Sequence, residues 1–453
     1  MLTIETLRTL MAAWNEWMNV MVLGIMALTL LALWRWRWRD YWLPAKLAKR
    51  QAAGQLSDNA GNEMNNAAVT DMVAGQHITV MSVVVTACNQ VEQLRQNLPI
   101  LMGQDFDNYE VIVADEASAD GTRELVSQLS EEAERRMAET GCGARLRYTF
   151  VPQTARGVDR RKLAITLGIR AARAPWVVLT AADCCPVSDQ WLRQMAARCS
   201  EDVDIVLGYA SYEDDGSRRA RRAIYERLRT QMMRYRSAVG TTWLRLPKGR
   251  GLRGRAFGGD VANMALRRNW FLEQGGYSAD SFGVSLGEGD LLVDCLSRCG
   301  RTDIAVGRDA VVNQQLPHAQ IVASMRVAAR GILRRLSRRG RCYLWREGWA
   351  SLAAAFFVLA LAAYVTVRVA ECLQGGWVYD LKSGAEDAMA LVFLVAALVI
   401  PVCGLRSACD ALGCRRFSGC LPLHYALWQP WRTMAIKITY RLRKPGRGDF
   451  RRK

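Results

Sequence analysis

The sequence is poor in histidine. Among 453 residues only His77, His318 and His424 occur, far apart in the chain. A histidine-rich metal centre and a histidine-based nucleophilic triad are therefore not expected. Cysteine is commoner, at 13 residues, but the number is odd and no CxxC pair repeats. That argues against a disulfide framework and a zinc clamp, and it fits a reducing compartment. The adjacent Cys184 and Cys185 read as small packing residues at a strand end. Glycine is missing from "TACNQVEQL" after the first strand-like run, which excludes a G-x-G-x-x-G dinucleotide loop there. Acids are outnumbered, 43 against 61 Lys and Arg, a net charge of +18. The excess implies an anionic partner such as acidic lipid or phosphate-bearing substrates. Aromatic stacking platforms are sparse beside the basic stretches, so nucleic acid is not expected.

Long apolar runs are present. "WMNVMVLGIMALTLLALW" covers Trp17 to Trp34, with tryptophans at both ends. Its length suits a bilayer core of about 30 Å. It lacks a basic start and a small-residue cleavage site, so a retained anchor is expected over a signal peptide. Two further runs cover Trp349 to Val367 and Ala388 to Leu405, the latter holding Pro401, a kink candidate. Arginines follow the first run, precede the second and follow the third, while the short connection between the last two carries Glu371, Asp380, Glu386 and Asp387. The positive-inside rule then places the large middle segment and the basic tail in the cytoplasm of a multi-pass inner-membrane protein. Anionic lipid accounts for much of the positive charge.

Between these runs strand and helix patterns alternate. "ITVMSVVVTA", "YEVIVAD", "RLRYTFV" and "APWVVLTAAD" read as strands, and Val91–Met102, Gly121–Glu139 and Arg160–Ala174 as helices. This order predicts an α/β domain with a mostly parallel sheet. Ligands of such sheets bind at the C-terminal strand ends. Those ends carry Thr86 and Asn89, Asp115 and Glu116, and Asp183. Ser118, Asp120 and Gly121 also suit a turn and helix cap. Residues 217–256 form a basic insert whose only acid is Glu226. Ile224, Leu228, Met232 and Tyr235 share a helical face there. That helix could lie on a membrane surface, line a phosphate groove, or simply be a solvated helix.

The residues also carry a resemblance. "VMSVVVTACNQVEQLRQNLPILMGQDFDNYEVIVADEASADGT", "RRKLAITLGIRAARAPWVVLTAADCCPVSDQWL", "GGDVANMALRRNWFLEQGGY" and "GEGDLLVDCL" resemble, in order and spacing, glycosyltransferase family 2. These are inverting sugar transferases of the GT-A (nucleotide-diphospho-sugar transferase) fold, and the hydropathy resembles that of membrane-anchored bacterial members. The resemblance covers about His77 to Asp309. It implies residues 77–316 as the GT-A domain; hydropathy, composition and charge give residues 1–43 as anchor, 44–76 as flexible linker, 317–348 as a basic juxtamembrane segment, 349–405 as two spans and 406–453 as a basic tail.

It further implies a nucleoside diphosphate sugar, UDP-sugar favoured, as donor and a glycan or lipid-linked acceptor in the cell envelope. Thr86, Asn89, Asp115 and Glu116 would meet the base or ribose, and Lys162, or its neighbours Arg160 and Arg161, the diphosphate. Asp183 would be the second acid of an Asp-x-Asp motif holding Mg²⁺ or Mn²⁺; the first acid is Ala181 here. Asp290 or Glu288 would be the catalytic base, with Gly289 in place of a family acid; Asp290 is preferred. Both also suit a helix N-terminus. Asp260 and Asn263 would face the acceptor, and Arg267 and Arg268 phosphate. "AQIVASMRVAARGILRRLSRR" lacks the Gln-x-x-Arg-Trp motif of processive members, which implies single sugar addition. Ala181 and Gly289 support an alternative, a catalytically silent sugar-nucleotide binder or scaffold.

Overall fold

The computed structural model describes residues 4–59, 81–140, 143–155, 158–239, 254–282, 287–317, 337–373, 381–414 and Ala435. The chain forms two compact units: Met1–Trp42, Leu344–Ala408 and Arg416–Ile438 make one, and Leu43–Tyr343, Cys409–Arg415 and Thr439–Lys453 the other.

The second unit is built on a seven-stranded sheet. Its strands are β1 (Met81–Ala87), β2 (Tyr109–Asp115), β3 (Arg145–Phe150), β4 (Trp176–Ala181), β6 (Ile205–Leu207), β8 (Met264–Arg267) and β9 (Thr302–Ile304). Their order is β3-β2-β1-β4-β8-β6-β9. β1, β2 and β4 are buried along their whole length, as expected for central parallel strands covered on both faces. The sheet is parallel from β3 to β4, but β8 runs antiparallel to both β4 and β6. Helices α3 (Val91–Met102), α4 (Thr122–Thr140) and α5 (Arg160–Ala171) follow β1, β2 and β3. α5 approaches the sheet closely at Gly168, where an added Cβ would come 2.4 Å from Val84 Cγ1.

A second sheet, absent from the sequence expectation, joins β5 (Cys184–Pro186), β7 (Tyr209–Tyr212) and β10 (Val311–Gln314) in the order β5-β10-β7. Its strands are only three or four residues long and pair across large sequence separations, so no local period announces them. They set Gln314 opposite Cys184. The expected basic insert begins as α7 (Arg218–Val239), after the short α6 (Trp191–Ala196). Ala220, Ala223, Ile224, Leu228, Met232 and Tyr235 of α7 are buried within this unit. That face is core, which corrects the membrane-surface reading of the helix. Short α8 (Arg268–Glu273) and α9 (Ala279–Phe282) precede α10 (Glu288–Leu296), which starts after Gly287 at φ +76°.

The other unit holds α1 (Ile4–Trp36) and most of α11 (Arg338–Leu373) and α12 (Leu381–Ala411), α11 starting before the unit's segment, and α12, which encloses Pro401, running on past it. Among the described residues, three helices are long and apolar enough to cross a membrane. Trp17, Leu28, Phe356, Leu359, Leu391 and Val392 point outward and exposed, a surface that suits lipid better than water. Arg368 donates to both oxygens of Asp387, at 2.9 and 2.6 Å, and to Glu371 at 2.9 Å, so these span-end charges compensate one another. Residues 44–59 of the expected linker are helical, in α2 (Leu43–Asn59), where Gln51 Nε2 donates to Ile304 O at 2.7 Å. Residues 60–76, most of the juxtamembrane segment, and the tail beyond residue 414 apart from Ala435 lie outside the described residues.

Candidate active site

Three strand ends form the floor of the site. Asp115 at the end of β2 pairs with Ala87 of β1, and Glu116 N donates to Ala87 O at 2.8 Å. On the other side of β1, Thr86 pairs with Ala181 of β4, and Ala182 N donates to Thr86 O at 2.9 Å. Asp115 and Asp183 therefore leave the sheet on one edge, two strand spacings or about 10 Å apart.

The first two strand ends are largely occupied with holding each other. Asp115 accepts from Ser118 N at 3.1 and 3.2 Å, from Ser118 Oγ, and from Tyr148 Oη at 2.8 Å. Asn89, at φ +50°, accepts from Ala119 N at 2.9 Å, and its own N–H donates to Ser118 Oγ at 2.9 Å. Asp120 accepts from Val91 N at 2.9 Å and Thr122 Oγ1 at 2.6 Å, capping α3 and α4 together. Thr86 is buried and donates to Thr180 O at 3.4 Å. Its hydroxyl faces β4.

Helix α5 adds the first cation. Its N-cap is Asp159, which accepts from Lys162 N at 3.0 Å. Lys162 is completely buried, and its neighbour Arg161 faces the strand-end acids. Arg161 Nε lies 4.0 Å from Glu116 Oε1 and 3.8 Å from Glu288 Oε1. Burial opposes the Arg161 charge, but Glu288, Glu116 and Asp183 outweigh it and raise its pKa. The buried Nε makes no hydrogen bond among the described residues.

From Asp183 a chain of polar contacts runs across the site. Gln314 Nε2 donates to Asp183 Oδ2 at 2.9 Å. Arg227 Nη1 donates to Gln314 Oε1 at 2.7 Å, and Arg227 Nε and Nη2 donate to Asp260 Oδ2 at 3.1 and 2.8 Å. Arg234 Nη1 lies 3.7 Å from the same Asp260 oxygen. Arg234 Nε and Nη2 each lie 2.9 Å from Asp290 Oδ1. Burial pushes the Asp260 carboxyl up, but the two guanidiniums prevail and bring it down to about 2. Burial raises the Asp290 pKa, and Arg234 offsets only part of that rise.

Several of the expected site residues are engaged within the domain. Asn263 is completely buried; its Oδ1 accepts from Trp191 Nε1 at 3.1 Å, and its Nδ2 donates to Tyr209 O and Ala310 O at 2.9 and 2.8 Å. It ties core elements together. Asp260 is an ion-pair centre between two arginines. Arg267 and Arg268 donate to backbone carbonyls of Val203 and Ile169, and the β8 end that bears Arg267 pairs with Trp176 at the start of β4, the opposite edge of the sheet. Cys184 is buried beside Asp183, with Sγ 3.7 Å from Oδ1, and burial first and Asp183 second push its thiol well up. A neutral packing thiol is the result.

Arg227, Arg234, Gln314 and Tyr148 were not anticipated. For the arginines a signal existed: seven residues apart, they flank the apolar face of α7. Gly289 has a steric cause. A Cβ there would come 2.3 Å from Gly259 O and 2.8 Å from Gly259 C, so no acid fits at that position. Gly289→Ala is expected to destabilise the fold by about 1–3 kcal/mol through overpacking, seen as a lower melting temperature.

Residues 82–258 match the family model Glycosyl transferase family 2. No curated protein matches the chain. Among solved structures, a mannosyltransferase of Pyrobaculum calidifontis, PcManGT in complex with GDP-Man and Mn²⁺, is 18% identical, covering 84% of this chain and 97% of that one at a TM-score of 0.44. S. aureus TarS 1–349 in complex with UDP-GlcNAc is 16% identical, covering 80% and 92% at a TM-score of 0.34.

Proposed function

We propose that this chain, a glycosyltransferase carrying a family 2 domain over residues 82–258, moves one sugar from a nucleoside diphosphate sugar, UDP-sugar favoured, to an envelope glycan or lipid-linked acceptor, with inversion. The observation that carries this reading is Arg161, a buried cation with an unused donor beside Glu116, Glu288 and Asp183, at the edge of the sheet where ligands of such folds bind. A guanidinium there suits diphosphate oxygens. Glu116 and Asp115 would line the base and ribose side.

Glu288 is the base in this reading. The acceptor hydroxyl attacks the anomeric carbon, and the bond from that carbon to the diphosphate oxygen breaks with its electron pair leaving on phosphate. The hydroxyl proton passes to Glu288. Glu288 is preferred over Asp290 because Arg234 already donates to the Asp290 carboxylate, while Arg161 stands off Glu288 at 3.8 Å.

A divalent cation, Mg²⁺ or Mn²⁺, fits the donors. No group of three metal-ligating side chains occurs among the described residues. However, the carboxylates Glu116, Asp183, Asp260, Glu288 and Asp290 outnumber the guanidiniums Arg161, Arg227 and Arg234 by two. Asp183 would hold the ion, with diphosphate oxygens and water as its other ligands, since Mg²⁺ commonly binds through one or two carboxylates. When bound, the ion would neutralise charge on the leaving diphosphate.

The three apolar helices and their arginine-rich flanks support an inner-membrane location with this domain cytoplasmic and anionic lipid nearby. Ala181 keeps a second reading in play, a silent sugar-nucleotide binder. Thermal melting of the full chain with UDP-, GDP- and dTDP-sugars, with and without Mn²⁺, separates the two when paired with a transfer assay. One donor is expected to stabilise the chain by about 3 kcal/mol at a hundredfold its Kd, only with metal, and not in Asp183→Asn. Donor binding without sugar transfer would favour the silent reading; no stabilisation by any donor would sink both.

A further inference from the structure

The Asp183 carboxylate stands without the first acid of its motif, because position 181 is alanine. Something else must hold it in place, and the second sheet brings that group from 131 residues away. Gln314, the last residue of β10, donates from Nε2 to Asp183 Oδ2 at 2.9 Å. Its other end accepts from Arg227 Nη1 at 2.7 Å. The backbone closes the same pairing, as Gln315 N donates to Asp183 O at 3.0 Å.

We propose that Gln314 is a positioning residue for Asp183, its amide clamped between Arg227 and the carboxylate so that Asp183 is pre-oriented toward a cation-bound diphosphate. This rests on the reading of Asp183 as the cation-holding acid. The orientation of the amide follows from donor chemistry. Arginine has no acceptor, so Gln314 must turn its oxygen to Arg227 and its NH₂ to Asp183. Arg227 cannot turn away, since its Nε and Nη2 are held by Asp260 and its guanidinium lies 4.4 Å from the centre of the Tyr212 ring. The clamp thus runs from a buried ion pair through one amide to one carboxylate oxygen, and Oδ1 keeps only its 3.7 Å contact with the Cys184 thiol among the described residues. A lone carboxylate is free to rotate about its side-chain torsions; one fixed at Oδ2 presents Oδ1 in a single direction. Partners of this kind behind a metal-binding group typically contribute ~10–100-fold to metal affinity.

The test uses the full-length chain in detergent. Mn²⁺ is titrated in the presence of UDP and, separately, GDP, and binding is read from loss of the free-ion EPR signal. Wild type is expected to bind Mn²⁺ with one of the two nucleotides. Gln314→Met, close in volume, is expected to weaken that binding ~10-fold or more while metal-free nucleotide affinity stays unchanged. Gln314→Glu still accepts from Arg227 but sets a second carboxylate against Asp183, and is expected to strengthen Mn²⁺ binding by a similar factor. Mn²⁺ affinity within twofold of wild type in Gln314→Met would overturn the assignment. Should that variant fail to fold, unchanged affinity in Gln314→Glu would overturn it equally. Absence of Mn²⁺ binding by wild type with either nucleotide would instead remove the Asp183 reading itself, and this proposal with it.

Discussion

Glu288→Gln is expected to lower kcat for sugar transfer by ~10²–10⁴-fold, the usual contribution of a positioned general base. Glutamine keeps the size and the α10 start but cannot take the acceptor proton. Donor affinity should change little, because Arg161 retains Glu116 and Asp183 as neighbours. The loss should therefore fall on kcat and leave the donor KM nearly unaltered, the mark of an interaction made in the transition state. Asp290→Asn is the contrast. It weakens an ion pair with Arg234, so its larger expected effect is on stability, with transfer reduced less than in Glu288→Gln. If Asp290→Asn abolishes transfer in a folded protein while Glu288→Gln stays active, the base is Asp290.

The largest stability effect is expected at Asp260. Arg227 and Arg234 both meet its Oδ2, in a site that is largely closed to water. Removing one member of a buried charge cluster strands the rest, at about 3–5 kcal/mol. Asp260→Ala should lower the melting temperature by roughly 10 °C, given about 2–4 °C per kcal/mol for a domain of 150–250 residues. The cost would be smaller in a double variant that also replaces Arg227 by an apolar residue of similar length, since fewer uncompensated charges remain buried. A pH dependence follows from the same geometry. The folded Asp260 carboxyl is held near 2, below the ordinary 3.8, so its charged form is favoured by folding. That contribution, about 2 kcal/mol, is present above the unfolded value and is lost as pH falls from about 4 through about 2. Melting of wild type should fall more steeply over this window than melting of Asp260→Asn. Equal slopes would show that the carboxyl does not hold this pairing in solution.

The two effects can be separated because the two acids sit differently. Glu288 lies beside a guanidinium without a direct hydrogen bond, and Asp260 is gripped by two. A group that must exchange a proton during turnover cannot be held as Asp260 is, since its proton affinity is too low near neutral pH. Gly289 between Glu288 and Asp290 lets the first turn of α10 settle on the Gly259 carbonyl, which places both acids at once. Its lack of a carboxyl is therefore weak support for a silent protein.

Much of this was legible in one dimension. The order of strands and helices, the three apolar helices and the acids at strand ends follow from periods of two and 3.6 residues and from apolar run length, which are local properties. Asp115, Glu116 and Asp183 were placed on one edge because parallel strands with intervening helices must all point the same way. Tertiary structure decided the rest. Arg161 stands between Glu116 and Glu288, 45 and 127 residues away in the chain. The hydrogen bonds of Thr86 to Thr180 and of Asn263 to Tyr209 and Ala310 cross between distant elements, which no local pattern announces. Arg227 meets Asp260 across 33 residues, Arg234 meets Asp290 across 56, and Gln314 meets Asp183 across 131. Such pairings depend on how separate elements pack, and no local pattern in the chain encodes which arginine will find which acid.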